Sequence, residues 1–230
     1  MLKYLTAVLI LCSAPSFAQP DYDAYNALLG QYVSADGRVD YPKLKANRAA
    51  LDAVAAQFSA QQPSERWSRE EQMAFWINAY NLFTLRLIVD HYPLKSIMDL
   101  DGGKTWDLQR ITIGGTAYSL NQIENEILRP RFKDPRIHFA INCAARSCPP
   151  LYNQAFRPQT LQQQLDARTR RFIRSKNNVL APKTVKVSKI FEWYAADFGA
   201  LIPFLNRYAS VKIEPTANVS FLPYDWNLND

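Results

Sequence analysis

Apolar residues recur at helical spacing along most of the chain, with short alternating stretches between them. Residues 22–31 read as a helix, and a turn follows at Asp36-Gly37 and Pro42. A second helix, over residues 44–59, places Leu44, Leu51, Val54, Ala55 and Phe58 on one side. Ser68 followed by Glu71 has the spacing of a capping box and marks the start of a third. In that helix Met73, Trp76, Ile77, Tyr80, Phe83, Leu87 and Ile88 recur with further apolar residues between them, as expected of a helix buried on every side. Pro93 stops it.

Residues 108–119 read as two short strands joined at Gly114-Gly115, a pair suited to the positive φ angles of a tight hairpin. Ser119 with Gln122, or Asn121 with Glu124, caps a helix that Pro130 should end. Residues 136–142 are apolar and β-branched enough for a buried strand leading to Cys143. Residues 160–176 form an amphipathic helix with Leu161, Leu165, Phe172 and Ile173 inward, and Asn177-Asn178 ends it. Residues 184–188 alternate as a strand, 189–198 read as a helix with Gly199 as its C-cap, 201–208 add one or two turns, and 211–213 and 219–222 are edge strands. Helices outnumber strands, and the strands fall in neighbouring pairs. The expected class is α+β, a single mainly helical domain with a small antiparallel sheet.

The N-terminus departs from this pattern. A lone Lys3, an apolar run over residues 4–11 and small residues at Ser16 and Ala18 have the order of a secretory signal peptide spanning residues 1–18. The run is too short to cross a bilayer, and Leu9-Ile10-Leu11 before Cys12 are too large for a lipidation site. A globular domain over residues 19–230 follows, periplasmic or secreted, with no integral membrane segment once the leader is cleaved.

Composition narrows the chemistry. The chain has 230 residues, 48% of them hydrophobic and 13% aromatic, a net charge of +6 and only seven Gly, which excludes collagen-like, linker-like and disordered chains. No phosphate-cradling Gly loop, zinc spacing or nucleic-acid motif is present, so no metal, cofactor or nucleic-acid partner is implied. Cleavage at Ala18 leaves two cysteines, Cys143 and Cys148, and the chain has two histidines, His91 and His138. His91 sits at a helix end, where it serves as a cap or a surface residue.

Cys143 would be a nucleophile if a base or positive charge favoured its thiolate. His138 is the imidazole near it in sequence, and Arg136 and Arg146 add positive charge. In an unbroken strand His138 shares a face with Ala140 and Asn142, and Cys143 with Ile137, Phe139 and Ile141. Asn142 is then the easier partner for His138, unless the strand bends or Cys148 swings back. In an oxidising compartment Cys143 and Cys148 could instead form a disulfide. Glu124 either orients His138 or caps its own helix with Asn121. Asn78 and Asn81 either satisfy backbone groups in the core or line a pocket. Arg168, Arg170, Arg171, Arg174 and Lys176 give one helix a basic face, solvated or turned to an anionic envelope component. Asp225 and Trp226 could close a latch with Arg129 or Arg136.

Several segments carry a family resemblance: Phe75-Trp-Ile-Asn-Ala-Tyr-Asn81, Ser119-Leu-Asn-Gln-Ile-Glu124 with Ile127-Leu-Arg129, Asp134-Pro-Arg-Ile-His-Phe-Ala-Ile-Asn-Cys143, Ser147-Cys-Pro149, Ser188-Lys-Ile-Phe191 with Trp193-Tyr194, and Tyr224-Asp-Trp-Asn-Leu-Asn229. Together they resemble the family catalogued as domain of unknown function 547, found in exported bacterial proteins and in plants. The family pattern often has a His after the Glu of the Ile-Glu pair, where this chain has Asn125. The resemblance therefore rests on Glu124, His138 and Cys143, the catalytic candidates; Asn78, Asn81, Asn142, Arg146 and Cys148 are the binding candidates by their own chemistry and position. The expected activity is a thiol-dependent hydrolase or transferase on an envelope amide or ester. The alternative is a non-catalytic binding or assembly module with a Cys143–Cys148 disulfide; thiol–disulfide exchange has less support, because Cys-x4-Cys lacks the tight Cys-x-x-Cys spacing.

Overall fold

In the computed structural model, residues 20–61 and 63–230 are described, so the leader expected over residues 1–18 lies outside them. Asp21 opens α1 (Tyr22–Tyr32) by accepting the Asp23 and Ala24 amides. The helix expected over residues 44–59 is two, α2 (Tyr41–Ala46) and α3 (Arg48–Ser59). They part at Asn47, whose backbone leaves the helical region while its side-chain amide donates to the Tyr32 hydroxyl at 2.6 Å. The Ser68–Glu71 capping box forms in both directions and starts α4 (Arg69–His91), which ends before Pro93. Nearly every residue of α4 from Gln72 to Leu85 is buried, so this helix is the axis on which the rest packs.

The hairpin follows as β1 (Ile111–Ile113) and β2 (Thr116–Tyr118), turned by Gly114 and Gly115 at φ 57° and 79°. Ser119 and Gln122 then cap reciprocally at 3.0 Å, settling that choice and leaving Glu124 out of the cap. What they cap is a π-helix (Gln122–Leu128), which runs through Pro130 into α5 (Arg129–Phe132) and stops at Lys133 in the left-handed conformation. Pro130 does not end the helix; it follows directly on the π-helix, where the Arg129 amide donates to the Glu124 carbonyl, and the helix continues past it as α5.

Residues 136–142 form no strand. Asp134 accepts the Arg136 amide, Pro135 presets the turn, and a 3-10 helix (Pro135–Phe139) results. Local capping outweighs the β-branched composition here, and the apolar residues are buried because this turn joins two clusters. Ile137 and Ala140 pack on the α4 core, whereas Phe139 enters a second cluster with Phe172, Phe191, Phe198 and Phe204.

That second cluster is closed by α6 (Leu161–Ile173), β3 (Val179–Leu180), β4 (Thr184–Val187), α7 (Ile190–Trp193), α8 (Ala195–Phe198), α9 (Leu201–Asn206) and β5 (Asn218–Phe221). Gly199 at φ 61° ends α8 as expected, although Tyr194 splits the expected helix into α7 and α8. The class is α+β. The three-stranded sheet is mixed and not wholly antiparallel: β3 pairs antiparallel to β4, but β5 lies parallel to β4 because the α7–α9 crossover returns the chain in the same direction. Residues 211–213 are not a strand, and no helix among the described residues is long and apolar enough to cross a membrane.

The C-terminal segment does latch, through its backbone. Arg146 and Ser147 amides donate to the Asn227 and Asp225 carbonyls, Asn229 to Ala144, and Leu228 to Lys95. Arg129 and Arg136 take no part; they pair with Asp197, and with Asp134 and Asp166. This latch carries Tyr224 and Trp226 over the loop that holds the cysteines.

Candidate functional site

The π-helix, the 3-10 turn, the cysteine loop, α7 and the C-terminal segment meet around a cavity of about 190 Å³. Glu124, His138, Cys143 and Cys148 all line it. The structure thus brings together the three catalytic candidates and one of the binding candidates.

Glu124 projects from the wide turn of the π-helix, an irregularity often found at functional sites. Its carboxyl is buried, and burial raises its pKa above the ordinary carboxylate range; hydrogen bonding from the Tyr194 and Tyr80 hydroxyls opposes the rise. His138 Nδ1 stands 4.0 Å from Glu124 Oε1, too far for a hydrogen bond. The opposite nitrogen, Nε2, donates to Asp197 Oδ2 at 2.7 Å. Asp197, not Asn142, is therefore the partner of His138, and it selects the tautomer whose lone pair lies on Nδ1, toward Glu124.

Asp197 is itself held by Arg129, at 2.6 Å and 3.0 Å, and this pairing is the first cause of its lowered pKa. Arg129 also lies over the Tyr194 ring at 5.0 Å and donates to Asn125. Tyr194 stacks on the His138 ring at 4.0 Å between centroids, and Phe198 packs on the same ring at 5.5 Å. This apolar stacking buries the imidazole and pushes its pKa down to about 4, against the pull of Asp197. The two groups are shifted in opposite directions, toward a neutral imidazole and a protonated carboxyl.

These shifts have consequences for stability. An unfolded chain's histidine takes up a proton below about 6.5, the folded one only near 4, so the unfolded state binds more protons between these values. The contribution of His138 is fully present above 6.5 and is lost as the pH falls toward 4. Glu124 acts oppositely, its contribution being present at low pH and lost as the pH rises through its raised value. The stability advantage of the wild type over His138→Gln should therefore shrink by about 3 kcal/mol from pH 7 to pH 4. Urea unfolding at both pH values measures it, and a constant difference would refute the buried neutral imidazole.

Cys143 and Cys148 form a disulfide. In this form Cys143 carries no thiolate, and the nucleophile expected from the sequence is not available without reduction. The remaining binding candidates lie elsewhere. Asn78 clamps Phe156, donating to its carbonyl at 2.8 Å and accepting its amide at 2.9 Å. Asn81 does the same between the Ala140 carbonyl and the Asn142 amide, both at 2.9 Å. Both amides are engaged with backbone, and neither borders the cavity. Asn142 donates to the Pro149 carbonyl at 2.8 Å and accepts the Ala144 amide, so it braces the cysteine loop instead of meeting His138. Arg146 donates to the Leu228 carbonyl and anchors the C-terminus.

The basic face expected on α6 is not uniform. Arg168 is buried against the Tyr152 ring and donates to the Pro150 carbonyl, whereas Arg170, Arg171, Arg174 and Lys176 are exposed, Arg174 donating to the Tyr208 carbonyl. His91, exposed at the end of α4, is both surface residue and cap, its Nδ1 donating to the Leu87 carbonyl at 3.1 Å.

Sequence reasoning placed Tyr80 in the core and Trp226 in a latch, and did not single out Asp197 or the rest of the aromatic mouth. Trp193, almost half exposed, packs near-parallel to Trp226, and Tyr224 touches both. Trp193, Tyr194, Tyr224 and Trp226 fall within the segments that carry the resemblance; Asp197 lies outside them and had no sequence signal. Among the described residues no group of three or more His, Cys, Asp or Glu side chains could hold a metal ion.

Residues 64–173 match the family described as protein of unknown function, DUF547, and the chain resembles that family there. The matched stretch contains Glu124, His138 and both cysteines, while Tyr194, Asp197, Tyr224 and Trp226 come from beyond it. No curated protein and no solved structure matches the chain.

Proposed function

We propose that the cavity is the active site of an exported hydrolase or transferase that cleaves an amide or ester bond by acid–base catalysis. The carrying observation is the pair Glu124 and His138, 4.0 Å apart at the cavity wall with pKa values displaced in opposite directions. His138 Nδ1 accepts the proton of the attacking hydroxyl, of water or of an acceptor alcohol, as it adds to the acyl carbon. Glu124 delivers its proton to the leaving oxygen or nitrogen. Asp197 holds the imidazole in the required tautomer and stabilises the imidazolium that forms, and Arg129 holds Asp197. Tyr80 and Tyr194 keep the Glu124 carboxyl fixed.

Export is supported by the leader-like order of residues 1–18 and by a disulfide, which persists in oxidising compartments. The exposed arginines of α6 fit an anionic envelope component as the surface on which the substrate lies.

The test is a panel of small aryl esters and anilides given to the chain from residue 19, with and without dithiothreitol. The oxidised protein should turn over at least one ester faster than buffer, with activity confined between an acid limb near pH 4 and an alkaline limb set by Glu124. Turnover only in the reduced protein would transfer the role of nucleophile to Cys143. No turnover in either state would overturn the proposal.

A further inference from the structure

The Cys143–Cys148 bond closes a loop that is already closed. Asn142, immediately before Cys143, donates to the carbonyl of Pro149, immediately after Cys148, at 2.8 Å. Asn142 is in turn held by Asn81, and the Ala144 and Ala145 backbones are paired with the C-terminal segment. A crosslink between residues only five apart also constrains an unfolded chain less than one spanning a long loop. As a staple this disulfide is largely redundant.

The two sulfurs are not equivalent. Both border the cavity, but Cys143 is half-buried whereas Cys148 is buried. Cys148 Sγ accepts the Cys143 backbone N–H at 3.2 Å and the Tyr224 hydroxyl at 3.1 Å. Cys143 Sγ has only the same hydroxyl, at 3.5 Å. Donors converging on one sulfur stabilise the thiolate that forms there, and a disulfide breaks fastest toward the sulfur that is the better leaving group.

We infer that the Cys143–Cys148 disulfide is a redox-active centre that exchanges with a cysteinyl thiol entering the aromatic mouth of the cavity. The incoming thiolate attacks Cys143 Sγ and forms a mixed disulfide with it. The Cys143–Cys148 bond breaks, and its electron pair leaves on Cys148 Sγ, held by the Tyr224 hydroxyl and the Cys143 amide. The Cys148 thiolate can return on Cys143 and expel the incoming thiolate, or a second thiolate can attack the incoming partner's sulfur in the mixed disulfide, so that Cys143 leaves as a thiolate, the protein becomes a dithiol and the two incoming thiols are oxidised to a disulfide. This activity does not depend on acyl chemistry at Glu124 and His138. Reduction does, however, place a free Cys143 thiol in the same cavity.

The experiment equilibrates the chain from residue 19 with glutathione redox buffers and, separately, with a cysteine-containing peptide, traps thiols by alkylation and maps them by mass spectrometry. Reduction by millimolar glutathione is expected, with the adduct on Cys143. A Cys148→Ser variant given oxidised glutathione should hold a stable Cys143–glutathione disulfide, its Cys143 thiolate attacking the glutathione disulfide and releasing one glutathione thiolate, and Tyr224→Phe should slow reduction of the wild-type bond by about tenfold, the loss expected when a thiolate loses one strong donor. Faster exchange with the peptide than with glutathione identifies a polypeptide thiol as the partner; the reverse identifies a small thiol. A disulfide that resists both, an adduct on Cys148, a Tyr224→Phe variant reduced at the wild-type rate, or loss of the cooperative thermal transition on reduction would each overturn the inference.

Discussion

Glu124→Gln is expected to lower kcat/KM on any ester that the wild type cleaves by about 10²–10⁴-fold, the usual contribution of a positioned proton donor. The substitution keeps the size of the side chain and its capacity to accept from Tyr80 and Tyr194, so the loss reads the missing proton and not a cavity. The pH profile separates this from simple damage. In the wild type, activity falls on the alkaline side as Glu124 loses its proton and on the acid side as His138 gains one near pH 4. In Glu124→Gln the alkaline limb should vanish while the acid limb remains. An unchanged profile, or a loss below about threefold, would remove Glu124 from the chemistry.

The largest stability effect is expected at Asn81. Its truncation to Ala leaves the Ala140 carbonyl and the Asn142 amide, both on buried residues, without their partner. Each orphaned group costs about 1–3 kcal/mol, so Asn81→Ala should destabilise by about 2–6 kcal/mol. The urea midpoint should drop with little change in slope. Asn81→Asp should be no better, because it restores the acceptor for Asn142 but brings a buried charge and no donor for Ala140. A shift below about 1 kcal/mol would mean that water or a rearranged loop replaces the clamp. Asn81 supports the start of the cysteine loop, so the variant should also raise the thiol reactivity of Cys143 in the reduced protein.

Both predictions rest on residues singled out in the sequence, for reasons that the fold revised. Glu124 was read as either an orienter or a cap, and Ser119 with Gln122 supplies the cap, which releases Glu124 to the cavity. Asn78 and Asn81 sit three apart on a buried helix, and burial itself obliged their amides to find partners; those partners are backbone groups of segments about 60 and 78 residues away. Nothing in a single chain position indicates which distant carbonyl such an amide meets.

Residues 135–139 form a 3-10 turn where the apolar run over residues 136–142 suggests a strand. An apolar, β-branched run reports burial, and burial is shared by strands and by turns lodged between two cores. Asp134 and Pro135, read for their local bonding, were the better guide, because a carboxylate accepting the amide two residues on and a ring with fixed φ start a helical turn whatever follows. The strand alternation that set His138 and Cys143 on opposite faces does not apply, and both face one cavity.

The sequence by itself determined the features whose causes lie within a few residues: the capping boxes that open α4 and the π-helix, the Gly114-Gly115 hairpin, the Gly199 stop, and the α+β class that follows from their proportions. Only the tertiary structure decided that Asp197 orients His138 across 59 residues, that Tyr224 reaches Cys148 from 76 residues away, and that β5 joins β4 in parallel. The physical reason is the range of the forces involved. Capping and turn preferences act through bonds between near neighbours, whereas the partner of a buried polar group is chosen by the packing of whole elements, which no local pattern encodes.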